Sequence, residues 1–194
     1  MKAICVFCGA NFNGDTLLKK EVEELAEIMV SRDITLVYGG GKVGVMGILA
    51  NAVLNNGGKA IGVIPQFLLD KEVGHTGLTE LHIVENMHQR KQLMNQLCDG
   101  IITLPGGIGT LEEFFEVLTW LQLGLHTNPV GLLNPGGFYD HLLKQLDLMT
   151  DQRFIKPVNR KLVLTSAYAA ELINLMENFD TRPDEVWFKD KDLT

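Results

Sequence analysis

A chain of 194 residues, 46% of them hydrophobic, can bury one sizeable core, so one domain is the simplest organisation. A formal net charge of −7 with no basic run argues against a nucleic-acid surface, and no apolar stretch reaches membrane-spanning length. Three cysteines, with no secretory signal before the first strand, point to a reduced, cytoplasmic protein.

Taken in order, residues 3–8 are an apolar run closed by Gly9, a first buried strand. Cys5 and Cys8 form a C-x-x-C there, but side chains three apart on a strand point to opposite faces, which disfavours a metal or redox pair. Residues 15–31 carry Leu17, Leu18, Val22, Leu25, Ala26, Ile28 and Met29 at helical spacing. Residues 34–38 form a second strand, and a glycine-rich turn leads into a helix through about Leu54. A third strand, 60–64, is stopped by Pro65; 67–81 reads as a loop with a short helical piece, 81–84 as a short strand and 86–98 as a helix. The run 100–104 is a buried strand, and a helix begins near Thr110 and ends at Gly124. Strand 130–133, helix 139–150, strand 162–165 and helix 167–176 follow, with a charged tail over 177–194. Strands alternating with helices predict an α/β fold, a Rossmann-like doubly wound parallel sheet with helices on both faces, occupying residues 1–176.

In such folds ligands bind beyond the carboxyl ends of the strands. Three loops lie there: the one after Gly9, Gly39-Gly40-Gly41-Lys42-Val43-Gly44, and Pro105-Gly106-Gly107-Ile108-Gly109-Thr110. The last joins a strand to a helix through glycines, which leaves bare N–H groups at the helix start for a phosphate. Thr110 and Glu113 also spell a capping box, Thr-x-x-Glu. Gly39-x-Gly41-x-x-Gly44 matches a dinucleotide fingerprint, but Val63, Ile64 and Pro65 end the next strand where an acidic ribose ligand belongs. Tight packing of that turn explains it equally well. On the helix 86–98, Arg90 falls three after Met87 and four before Met94, on the inward stripe. A cation directed inward needs an anion or a wet cleft, so Arg90 either pairs internally, with Glu113 for instance, or meets ligand. A carboxylate beside a helix N-terminus is expected to stay ionised, which would suit Glu113 to a cationic transition state. The five histidines form no ligand-spaced group, and no Gly-x-Ser-x-Gly elbow occurs. Trp120, Leu121, Leu123 and Leu125 offer apolar surface for a dimer, or ordinary core.

Met87-His88-Gln89-Arg90-Lys91 followed by Pro105-Gly106-Gly107-Ile108-Gly109-Thr110-Leu111-Glu112-Glu113 resembles the paired signature of the LOG (Lonely Guy) family. The resemblance runs over roughly residues 1–176, through Val6-Phe7-Cys8-Gly9, Gly44-Val45-Met46-Gly47 and Gly62-Val63-Ile64-Pro65. It implies hydrolysis of N6-modified adenosine 5′-monophosphates to free base and ribose 5-phosphate by a homodimer without metal or organic cofactor. By position it implies Arg90 and Glu113 as the catalytic pair. Lys91, Gly106, Gly107, Ile108, Gly109, Thr110, Leu111 and Glu112 would contact substrate, with Glu72 as a further substrate-binding glutamate. Ala10 departs from the serine usual after Cys-Gly. The rival readings are a nucleotide carrier without turnover, a pyridoxal phosphate decarboxylase with Lys91 as its lysine, and a dinucleotide oxidoreductase.

Overall fold

The apolar runs become parallel strands. In the computed structural model, which describes residues 1–71 and 74–180, they are β1 (Ala3–Phe7), β2 (Thr35–Tyr38), β3 (Ala60–Pro65), β4 (Glu80–Val84), β5 (Gly100–Thr103), β6 (Val130–Leu133) and β7 (Val163–Ser166). They form one sheet in the order β4-β3-β2-β1-β5-β6-β7, with every neighbouring pair parallel. Between them run α1 (Thr16–Ser31), α2 (Gly44–Asn55), α3 (Gln66–Leu69), α4 (Met87–Gln96), α5 (Ile108–Leu123), α6 (Asp140–Asp151), α7 (Pro157–Arg160) and α8 (Ala169–Glu177), with a 3₁₀ turn at Pro135–Gly137. The doubly wound expectation holds. The four-residue α7 was not anticipated, because one turn is too short to show periodicity. Of the expected tail, residues 181–194 lie outside the described residues.

Period-two alternation on the strands splits the interior into two cores. Ile4, Val6, Leu36, Tyr38 and Ile102 pack under α1, α2 and α8. Cys5, Phe7, Val37 and Ile101 pack under α4, α5 and α6. Cys8 joins the first core and Cys5 the second, so the C-x-x-C straddles the sheet, and all three cysteines are free. Buried Glu21 on α1 accepts the Ala169 N–H at 3.2 Å and so caps α8 across the first core. No helix among the described residues is long and apolar enough to cross a membrane.

The strand order also locates the crevice. The chain steps from β1 outward to β4, then returns to lay β5 on the other side of β1. Leu104 N–H still donates to Phe7 O at 2.9 Å. Past that rung the two chains part, one toward α1 and one toward α5. This is the topological switch point, where such sheets hold ligands.

Candidate active site

A cavity of about 520 Å³ opens at this point. Its walls come from the loop after β1 (Gly9, Asn11, Asn13), from Gly39 after β2, from Met46 on α2, from Met87, Arg90 and Met94 on α4, and from the β5–α5 turn. Phe138, beyond β6, closes one side, its ring edge-on to Tyr139 with centroids 4.9 Å apart. Tyr139 in turn donates its hydroxyl to Leu104 O at 2.6 Å, fixing the residue that precedes the glycine turn.

The N-cap of α5 is Gly107, with extended backbone (φ −94, ψ −159) and no side-chain cap. Thr110 is therefore the third helical residue and Glu113 the sixth, so the expected capping box does not form. A glycine that caps with its backbone alone starts the helix two residues early and leaves Thr110 to pack over Gly106. Reciprocal capping occurs instead on α4, where the Asn86 carboxamide accepts the Gln89 N–H at 3.0 Å and the Gln89 side chain accepts the Glu85 N–H at 3.0 Å. On α5 the first amide with a helical acceptor is that of Leu111, to Gly107 O at 3.2 Å. The amides of Ile108, Gly109 and Thr110 are the orphan donors of the first turn. A side chain at Gly107 or Gly109 would meet no atom within 4 Å, so the space beside this turn is open.

The other glycine turn is shut. Gly44 has φ +64, and a Cβ there would overlap the backbone of Ala10. Gly9 O accepts from both Val45 N–H (3.1 Å) and Met46 N–H (3.4 Å), filling the start of α2 with protein. Of the two readings of Gly39-x-Gly41-x-x-Gly44, packing is the one the structure supports. Gly39 has its own use: the missing side chain leaves room for the Arg90 guanidinium.

Arg90 is 8% exposed and lies on the wall. Its Nε donates to Val63 O (3.1 Å), its Nη2 to Gly39 O (3.2 Å), and its Nη1 approaches Met87 Sδ at 3.8 Å. It docks on strand-end carbonyls, and no ion pair joins it to Glu113 among the described residues. Of the two readings of Arg90, the internal pair with Glu113 does not form, and the two charges interact at longer range. Glu113 is 9% exposed, and burial pushes its carboxyl up from 4.5 to about 7, with Glu112 and Glu116 adding to the rise and Arg90 and Lys91 opposing it. Burial thus works against the ionisation expected of a carboxylate at a helix start. The dipole acts within the first turn, Glu113 stands beyond it, and desolvation dominates. Near neutrality the group is poised to hold or release a proton.

Gly106, Gly107, Gly109, Thr110, Glu112 and Glu113 join Arg90 on the wall. Lys91, Ile108 and Leu111 are not among the wall residues; Ile108 is 90% exposed, and buried Lys91 is held by Glu112 and Glu116. Glu72 lies outside the described residues. Sequence reasoning missed Asn11, Asn13 and Phe138, although each follows a strand end, the position that should have marked them. Met87 and Met94 read as core stripe and prove to face the cavity as well. Of the apolar residues offered for a dimer, Leu121 is core and Trp120 packs against that core.

A family model described as "Possible lysine decarboxylase" matches residues 46–176. The cytokinin riboside 5′-monophosphate phosphoribohydrolase LOG1 of Arabidopsis thaliana is 44% identical over 185 residues, 95% of this chain and 87% of that protein. LOG7 of the same plant is 43% identical over 188 residues, 97% of this chain and 87% of that one. Among solved structures, the molybdenum cofactor binding protein from the phototrophic bacterium Rippkaea orientalis matches with a TM-score of 0.66 at 21% identity, covering 91% of this chain and 96% of that one. The molybdenum cofactor carrier protein of Chlamydomonas reinhardtii matches at 0.65 and 18% identity, covering 90% and 96%. At such identities these two likenesses are of fold alone.

Proposed function

The chain belongs to the LOG family of cytokinin riboside 5′-monophosphate phosphoribohydrolases, and from that premise we propose that it hydrolyses the N-glycosidic bond of adenosine 5′-monophosphates, N6-modified ones included, to free base and ribose 5-phosphate. One observation carries the reading: an open set of helix-start amides shares a single cavity with a buried carboxylate and a buried guanidinium.

The amides of Ile108, Gly109 and Thr110 receive the 5′-phosphate, whose charge suits a helix N-terminus. Seating the phosphate there brings the ribose toward Glu113, on the next turn of the same helix. As the bond from C1′ to the base nitrogen breaks, its electron pair leaves with the base and positive charge gathers on the sugar. Ionised Glu113 stabilises that charge and takes a proton from the water whose oxygen bonds to C1′. The departing base gains a proton, and ribose 5-phosphate remains. Arg90, anchored on two carbonyls, holds a fixed positive charge beside the carboxylate and the leaving group. The decarboxylase label of the family model asks for a lysine free to form a Schiff base. Lys91 is held by two carboxylates, which weighs against that chemistry.

Chromatography of free base released from AMP, isopentenyladenosine monophosphate and other monophosphates, with free nucleosides as controls, tests the reading. Base is expected from the phosphorylated substrates only. Nucleotide binding without release would make the protein a carrier, and the hydrolase reading would fall. Three buried free thiols support a cytoplasmic, reducing setting. A homodimer belongs to the same proposal, and a monomer by light scattering at micromolar concentration would remove it.

A further inference from the structure

Arg90 and Lys91 are chain neighbours on α4, and Glu112 and Glu113 are chain neighbours on α5. Lys91 Nζ lies 2.6 Å from Glu112 Oε1 and 2.8 Å from Glu116 Oε2, with its side chain 6% exposed. Its ammonium thus donates a hydrogen bond to Glu112 and forms an ion pair with Glu116, both on α5. Glu112 and Glu116 are four apart, one helical turn, so a single ammonium bridges both from the facing helix. Each member of the catalytic pair sits one residue from a member of this cluster. We propose that Lys91 is a positioning residue, which with Glu112 and Glu116 fixes α4 against α5 so that Arg90 and Glu113 keep their geometry across the cavity, and that it is not a contact to the nucleotide. The inference rests on the hydrolase reading for the identity of the pair it positions.

The cluster also sets the charge around Glu113. From α4 it is met by Arg90 and Lys91 and along its own helix by Glu112 and Glu116, and the thiols of Cys5 on β1 and of Cys8 just beyond it lie within its electrostatic reach. Burial pushes both thiols up, so they stay neutral and leave the balance to the other four. Removing the Lys91 charge leaves two carboxylates uncompensated and makes Glu113 harder to ionise.

Steady-state kinetics of Lys91→Met on AMP therefore test the proposal. The expected result is a fall in kcat of about 10–100-fold, the scale of a small misplacement of reacting groups, with KM held within about threefold. The rise of rate with pH should move to higher pH. Lys91→Arg should restore kcat. Adding Glu116→Gln to Lys91→Met should bring the pH limb back toward wild type while kcat stays low, since the cluster's net charge is again −1 but the clamp is absent. A large rise in KM with kcat and pH limb unmoved would make Lys91 a substrate contact and overturn the proposal, as would wild-type behaviour. Should Lys91→Met fail to fold, Glu116→Gln alone should lower kcat at constant KM and shift the limb to lower pH; no change overturns it. Wild type in the same assay separates the two claims: if no monophosphate yields base, the hydrolase reading fails. The Glu113 carboxyl titration, followed by carbon NMR in wild type and Lys91→Met, then still decides, an upward shift supporting the clamp and an unmoved one refuting it.

Discussion

Two glycine-rich turns stand at the ends of β2 and β5, on either side of β1, each opening a helix, and they have opposite fates. The turn before α2 is closed by the chain itself, with Gly9 O on its first amides and Gly44 pressed against the backbone of Ala10. The turn before α5 keeps its amides free, with empty space above Gly107 and Gly109. Glycine content alone does not make an anion site. What decides is whether another part of the protein has already taken the donors.

Three substitutions can break or sharpen this contrast. The largest effect belongs to the carboxylate beside the open turn: Glu113→Gln should cut kcat by about 10²–10³, the scale of removing one placed electrostatic group, some 2.7–4 kcal/mol. Near-normal turnover would detach the open turn from the chemistry. The same variant should be more stable than wild type at pH 8, in chemical denaturation, by up to about 3 kcal/mol. The folded-state pKa of about 7 lies above the ordinary 4.5, so the cost of burying the charge is full above pH 7 and absent below 4.5. The gain should shrink through that window as pH falls. Gly44→Ala should cost about 2 kcal/mol in thermal unfolding, because φ +64 is strained for alanine and the Ala10 backbone blocks its Cβ. Gly109→Ala, in contrast, should stabilise by up to about 1 kcal/mol through helix propensity while raising KM for AMP, its methyl entering the space meant for phosphate. If both alanines acted alike, the distinction between shut and open turns would collapse.

How much of this was legible beforehand follows from the range of the interactions involved. The strands and the longer helices rest on local periodicity and appeared where expected, whereas the division of the single expected core into two follows from the sheet that separates them. Arg90 betrayed itself as a cation on an apolar stripe. The start of α5 did not, because a threonine cap and a glycine cap both fit the same residues and only packing over Gly106 chooses between them. The plugging of α2 by Gly9, the bridging of Glu112 and Glu116 by Lys91, and the burial that lifts Glu113 all depend on residues brought together by the sheet. No spacing rule reaches across those distances.

The carbonyl of Gly9 carries a last consequence. By taking the first amides of α2 it leaves α5, of the two glycine-opened helices at this crevice, as the one whose first-turn donors the protein has not already used. A carbonyl oxygen at that second helix start repels an anion where a bare amide would attract it, so the backbone alone makes the two starts unequal toward a phosphate.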